Sequence, residues 1–229
     1  MGQPMNRTIK DYQERRNEIL TAAQVLFFSN GYQDTSVQQI IDAVGIAKGT
    51  FYYYFDSKVD LLDALAASMA EQQLQVAQTI LDEPGLDAAQ QLERIFAELA
   101  GWKTDRRNFF LDILPTWYSD ENVIVRYKLT GYVKHSMRGL MAQVIRLGVE
   151  QGIFNTFYPE HIGDIILDVL QNTSEQIAFL ILNKGSKGEA VHRLDELLAV
   201  NQFAVNRLLG AQPGTVQVFV LDRIKLWLE

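Results

Sequence analysis

The chain has 229 residues, 48% of them hydrophobic and 21% charged, which suits a globular protein of one large domain or two smaller ones. It contains no cysteine, which excludes disulfides, thiolate metal sites and cysteine nucleophiles and fits a reducing cytoplasm. Net charge is −7. Residues 1–60 hold six basic side chains (Arg7, Lys10, Arg15, Arg16, Lys48, Lys58) and seven acidic ones (Asp11, Glu14, Glu18, Asp34, Asp42, Asp56, Asp60). The acidic excess therefore lies beyond residue 60, and bulk charge makes no case for a nucleic-acid partner; such a case has to come from placement.

No run approaches the roughly 18 consecutive apolar residues of a membrane span, and the longest, 177–182, is far shorter. Arg7 and Lys10 precede a polar stretch where a signal peptide needs an apolar one. Met5 offers a second start, with residues 1–4 then a short cloning remnant.

Helical periodicity dominates. The first helix is expected over about 12–30, with Ile19, Ala22, Ala23, Leu26 and Phe27 on one stripe and Gly31 as its C-terminal cap. Ser36 and Gln39 form a capping box that opens a second helix, whose buried face is Val37, Ile40, Ile41 and Val44. Gly45 breaks it, Ile46 plugs the corner, and a third short helix begins near Ala47. A fourth starts at Ser57 and runs to about Leu81, before Pro84 and Gly85. Further helices are expected near 87–102, 106–117, 121–151, 160–183 and 189–209, separated by Pro115, the Gly152 region, Pro159 and the 184–188 loop. After Pro213 and Gly214, the residues Val216, Val220, Ile224, Trp227 and Leu228 share a helical face, although 216–220 also reads as a short strand.

The fold class is all-α. An N-terminal three-helix helix-turn-helix domain joins a larger helical domain, with an arm over 1–11, the helix-turn-helix over 12–60 and the larger domain over 61–229.

Two short helices joined by a glycine turn can be a DNA reader or merely a packed corner. The third helix, Lys48-Gly49-Thr50-Phe51-Tyr52-Tyr53-Tyr54-Phe55, tips the balance. At about 100° per residue, Phe51 and Phe55 enter the core together, while Tyr53 points away beside Gly49 and Thr50, with Tyr52 and Tyr54 on the flanks. So short a helix cannot bury five aromatics, and tyrosines beside small residues suit something that docks there. Small residues let a helix sink into the major groove, Thr50 can bond a base edge or touch a thymine methyl, and tyrosine hydroxyls and lysines can hold phosphates. Amide donors beside Ser36 suit a phosphate oxygen.

These residues carry a resemblance. The stretch GYQDTSVQQIIDAVGIAKGTFYYYFDSKVDLL resembles the DNA-binding region of the TetR family of bacterial transcriptional regulators over about residues 12–65. The shared spacing runs through Gly31, Thr35, Ser36, Gly45, Gly49, Thr50, Tyr52, Phe55, Lys58, Leu61 and Leu62. The resemblance implies that Ser36 and Gln38 lie at the groove, that Lys48, Gly49, Thr50 and Tyr53 line it, and that Tyr52, Tyr54 and Lys58 hold phosphates. Ala47 departs from the serine common in the family, so a capping hydroxyl is missing, and no arginine lies on the outward face to grip guanine. Arg7, Lys10, Arg15 and Arg16 are expected to compensate at the backbone.

The resemblance further implies a homodimer through the helices near 160–183 and 189–209, where Ile162, Ile166, Val169, Ile177, Leu194, Leu198 and Phe203 form apolar stripes. It also implies an unidentified small-molecule effector that releases a repressor from a double-stranded operator. The aromatic zone Trp102, Phe109, Phe110, Trp117, Tyr118, Tyr127, Tyr132 and Phe154 suits a ligand pocket. From it Trp102, Phe110, Trp117, Tyr118 and Tyr132, with the polar His135, Asn172 and Gln176, are the effector-binding candidates. No catalytic residue, metal or cofactor is expected. Two rivals remain: a helical adaptor whose tyrosine face binds a protein, and an all-α enzyme, which lacks any P-loop, GxSxG, dinucleotide-binding or HExxH motif.

Overall fold

A computed structural model describes the backbone of residues 5–105, 107–183, 187–219, 224, 225 and 227, and the side chains of 12–100, 110–183, 188–219, 224, 225 and 227. Among these residues there is no strand. The helices are α1 (Met5–Asn30), α2 (Val37–Val44), α3 (Lys48–Tyr54), α4 (Lys58–Leu81), α5 (Ala88–Asp105), α6 (Arg107–Trp117), α7 (Val123–Glu150), α8 (Pro159–Leu182) and α9 (Lys187–Leu208). They divide into two compact units. The first joins Met1–Met69 to Pro115–Tyr132, and the second joins Ala70–Leu114 to Val133–Glu229.

In the first unit, Ile19, Ala23 and Phe27 of α1 are fully buried, as the sequence stripe predicts. Ile40 and Ile41 of α2, Phe51 of α3, Phe55, and Leu61 and Leu62 of α4 are buried as well. The capping box of α2 forms as expected: the Gln39 amide donates to Ser36 Oγ at 3.2 Å and the Ser36 amide donates to Gln39 Oε1 at 2.6 Å. Gly45 ends α2 in the left-handed region, φ +71°, a conformation open to glycine at little cost.

The turn between α1 and α2 is held from within. Gly31 takes φ +92°, and Thr35, fully buried, donates its hydroxyl to the Gly31 carbonyl at 2.7 Å. The segment 115–132 closes over the same turn. Asn122, also fully buried, accepts the Tyr32 amide at 2.9 Å and donates to the carbonyls of Phe27 and Thr116 at 3.0 and 3.1 Å. Trp117 packs edge-on against Phe28, ring centroids 4.7 Å apart, and Lys128 pairs with Asp63 of α4.

Several elements differ from expectation. α1 begins at Met5, so residues 5–11 extend the helix and do not form a separate arm. Pro115 lies inside α6 and does not end it; two residues from the C-terminus, its missing N–H removes a single helical bond. A 3-10 turn, Asp120–Asn122, delays α7 to Val123 and brings Asn122 into the interior.

The second unit is built on a core that includes Leu92 and Ile95 of α5, Met141 and Ile145 of α7, Ile166 of α8 and Val205 of α9. Of the segment read as either helix or strand, residues 216–219 form neither, while Ile224 and Lys225 are helical. Val216 and Val218 are buried on either side of exposed Gln217, an extended alternation held by side-chain amides of α9. Asn206 donates to the Val216 carbonyl and accepts its amide, both at 3.0 Å, while Gln202 accepts the Val218 amide at 2.9 Å and Glu93 the Gln217 amide at 2.6 Å. These partners replace the i−4 carbonyls that a helix would have supplied. Val220 and Leu228 lie outside the described residues, as do 184–186 of the loop before α9.

Among the described residues, α8 alone has the length and hydropathy of a membrane crossing. It carries Asp164 and Asp168, paired with Arg138 and Lys134, and buries Ile166 and Ala178.

Asn122→Ala is expected to lower the stability of the first unit by about 2–3 kcal/mol, since three backbone groups lose their partner at a buried site. Urea unfolding followed through Trp117 fluorescence measures it, and an unchanged midpoint would contradict the clamp.

Candidate nucleic-acid interface

The core side of α3 fixes its orientation. Phe51 is wholly buried and Phe55 nearly so, which turns Tyr53 outward with 72% of its surface exposed and leaves Tyr52 46% exposed. Lys48 and Gly49 are exposed, while Thr50 and Tyr54 are half-buried. Ala47 caps the helix without a side-chain bond, as its methyl group dictates.

Gly49 is the informative position. A Cβ added there would meet nothing within 4 Å, and the backbone has no positive φ. The fold therefore does not require glycine, and alanine would favour the helix by about 1 kcal/mol. The space over Gly49 is open, continuous with exposed Lys48 and Tyr53 on the same outward face.

Ser36 and Gln38 are exposed at the start of α2, but both are engaged locally. Ser36 Oγ serves the capping box, and Gln38 Nε2 donates to Asp42 at 2.8 Å. Arg15 pairs with Glu18 at 2.6 Å, and the Arg16 guanidinium lies 5.4 Å over the Phe55 ring. The side chains of Arg7 and Lys10 lie outside the described residues.

Lys58, expected to hold phosphate, is engaged by the chain's own backbone. Nζ donates to the carbonyls of Tyr32, Thr35 and Gln33 at 2.7, 2.8 and 3.3 Å, and it sits 4.3 Å from the Tyr32 ring centroid. Burial pulls its pKa below the usual lysine value, against the opposing field of Asp34. Sequence could not distinguish the two roles, because the turn's unmet carbonyls become visible only once α1 and α2 are folded together.

The effector candidates fall in both units. Trp117, Tyr118 and Tyr132 belong to the first unit, where Trp117 packs on Phe28 and Tyr118 lies under the Arg126 guanidinium at 5.1 Å. Phe110, in the second unit, faces the Trp227 ring at 6.3 Å. His135, Asn172 and Gln176 are exposed. The Trp102 side chain and Phe109 lie outside the described side chains; Tyr127 is exposed and Phe154 is core. Aromatic composition alone could not separate ring packing from a ligand pocket.

The apolar stripes of α8 and α9 also divide. Ile166, Leu194 and Leu198 are buried within the chain, so they serve its own core. Outward instead are Ile165, Asn172, Gln176 and Phe179 on α8, and Ala199, Val200 and Phe203 on α9, with Val200 65% and Phe203 57% exposed.

Three helices with buried apolar faces, the third presenting glycine and tyrosine outward, define a helix-turn-helix module. Residues 19–65 match the family model described as "Bacterial regulatory proteins, tetR family". The matched segment covers α2, α3 and parts of α1 and α4, so the module is similar to the one that this family model describes. A relative, the probable HTH-type transcriptional regulator ArpR of Pseudomonas putida, is 31% identical over 83 residues, covering 36% of this chain and 40% of its own length. The first relatives are thus matched over less than half their length. The HTH-type transcriptional repressor KstR2 of Mycobacterium tuberculosis is 23% identical over 174 residues, 74% of this chain and 82% of its own. A TetR transcription regulator from Haloarcula marismortui superposes with a TM-score of 0.58 at 19% identity, covering 86% of this chain and 97% of that one, which shows the shared fold.

Lys58→Met keeps an aliphatic stem over Tyr32 but removes all three bonds. It is expected to destabilise the first unit by about 2 kcal/mol, read by thermal unfolding. A folded, equally stable variant that lost one unit of salt slope in DNA binding would restore the phosphate role.

Proposed function

We propose that the chain is a dimeric, sequence-specific DNA-binding transcriptional regulator, acting as a repressor that a small-molecule effector releases from its operator. The observation that carries the DNA reading is Gly49: a glycine the fold does not need, on the open face of a helix, with Thr50 and Tyr53 beside it. Close approach of a partner explains a residue that costs helix stability and fills no strained position. A duplex major groove fits that approach, with Thr50 at a base edge or thymine methyl and Lys48, Tyr52, Tyr53 and Tyr54 at phosphates or bases. Ser36 and Gln38 belong to the same surface, Gln38 after exchanging its Asp42 bond for DNA. The names of relatives such as the repressor KstR2 support the regulatory direction. Residues 12–60 are the reader, and its work in the cytoplasm requires neither catalysis nor a cofactor.

A single module grips one half-site, and two such modules meet the same face of a duplex when spaced about 34–36 Å apart. The exposed stripes of α8 and α9 supply the surface for pairing, and an effector acts by favouring one dimer geometry over another.

Two variants test the reader. Gly49→Leu is expected to leave thermal stability unchanged or raised while reducing duplex affinity at least a hundredfold, because its side chain occupies the space the groove wall needs. Thr50→Ala is expected to alter the sequences recovered in a random-duplex selection, by about 1–3 kcal/mol at one base position. Full duplex affinity in Gly49→Leu sinks the reading and favours an adaptor surface.

The dimer is tested separately. Replacing Val200 and Phe203 together by Glu is expected to yield monomers in sedimentation with the helical content retained. Unchanged dimers would move the interface elsewhere.

A further inference from the structure

The core orients α3 but does not orient its outward tyrosines. Tyr53 is 72% exposed, so packing of Phe51 and Phe55 beneath it leaves its ring without a wall on the solvent side. A ring of this kind ordinarily samples several rotamers and loses that freedom on docking. Here a residue from another helix meets it. Tyr12, in the N-terminal part of α1, lies edge-on to Tyr53 with centroids 5.9 Å apart at 78°, and against Tyr54 at 4.7 Å. Tyr53 and Tyr54 are themselves edge-on at 5.1 Å and 88°. The three rings close a cluster in which each touches the other two.

The position of Tyr12 follows from the register of α1. Tyr12, Arg16, Ile19 and Ala23 recur at helical spacing, and they pass from the exposed end of the module into its core. Arg16 lies over Phe55, and Ile19 is fully buried. This face of α1 thus reaches α3 through the ring of Tyr12 on Tyr53 and Tyr54, and the residue that follows α3 through Arg16 over Phe55. Edge-to-face pairs of this kind hold relative ring angle as well as distance.

We propose that Tyr12 is a positioning residue for DNA readout, one that fixes the rings of Tyr53 and Tyr54 in the free protein so that α3 meets the groove already ordered. It acts through its ring and not through a hydroxyl contact of its own. The inference rests on the reading of α3 as the DNA-facing helix.

The test is a double-mutant cycle on the full chain, with duplexes selected by the wild-type protein as probes. Tyr12→Ala is expected to weaken binding about three- to tenfold, the range for releasing one or two ordered side chains. Tyr12→Phe is expected to bind like wild type. The loss from Tyr12→Ala is expected to vanish in a Tyr53→Ala, Tyr54→Ala background, where no ring remains to be ordered. Because Tyr12→Ala could loosen the module generally, a second readout uses 3-fluorotyrosine at position 53 in the unbound protein. Its fluorine resonance should broaden or shift on Tyr12→Ala and stay unchanged on Tyr12→Phe. Equal losses for Tyr12→Phe and Tyr12→Ala would overturn the proposal in favour of a direct hydroxyl contact. An undiminished loss in the double-ring background, or an unaltered fluorine spectrum, would overturn it as well. Failure of the wild-type chain to bind any duplex overturns the DNA reading itself, a result distinct from all of these.

Discussion

The turn at 31–36 is the constraint on which the reading surface depends. Its backbone leaves α1 at Gly31 and enters α2 at Ser36, and along the way several carbonyls turn away from any helix. Lys58 supplies donors to three of them, and Asn122 takes the Tyr32 amide while returning protons to Phe27 and Thr116. Thr35 completes the inner side through Gly31. A buried polar group without a partner costs about 1–3 kcal/mol, so these three side chains decide whether the turn holds one shape. The direction of α2, and hence of α3 beyond Gly45, is set there.

This arrangement gives the segment 115–132 a part in the first unit that its place in the chain conceals. Asn122 reaches the turn because a 3-10 turn interrupts what would have been continuous helix, and Lys128 and Trp117 anchor the corner on either side.

Much of the fold was legible because its signals are local. The Ser36–Gln39 capping box, the Gly45 stop and the Phe51–Phe55 pair are each dictated within a turn or two of helix, and each forms as expected. The outward turn of Tyr53 follows from the same periodicity. What escaped was set by distant partners. Lys58 looked like a cation at a helix start until the carbonyls of the 31–36 turn were in place around it. Trp117 and Tyr118 looked like pocket aromatics, yet one packs on Phe28 and the other under Arg126. The alternation of Val216 and Val218 became extended and not helical because Asn206 and Gln202 offered their amides to the backbone. Ile166, Leu194 and Leu198 carried the periodicity of an interface but went to the chain's own core, leaving Val200 and Phe203 outward.

The central claim is that the Gly49, Thr50 and Tyr53 face reads the major groove through methyl groups, shape and phosphate placement, since the outward face of α3 carries no arginine. The most direct measurement is a thymine-to-uracil interference footprint on a duplex selected by the protein, which deletes one major-groove methyl at a time. The account predicts interference at thymines clustered in two patches, separated by about one helical turn or a multiple of it. Binding indifferent to every such deletion, or disturbed only by changes confined to the minor groove, would contradict it.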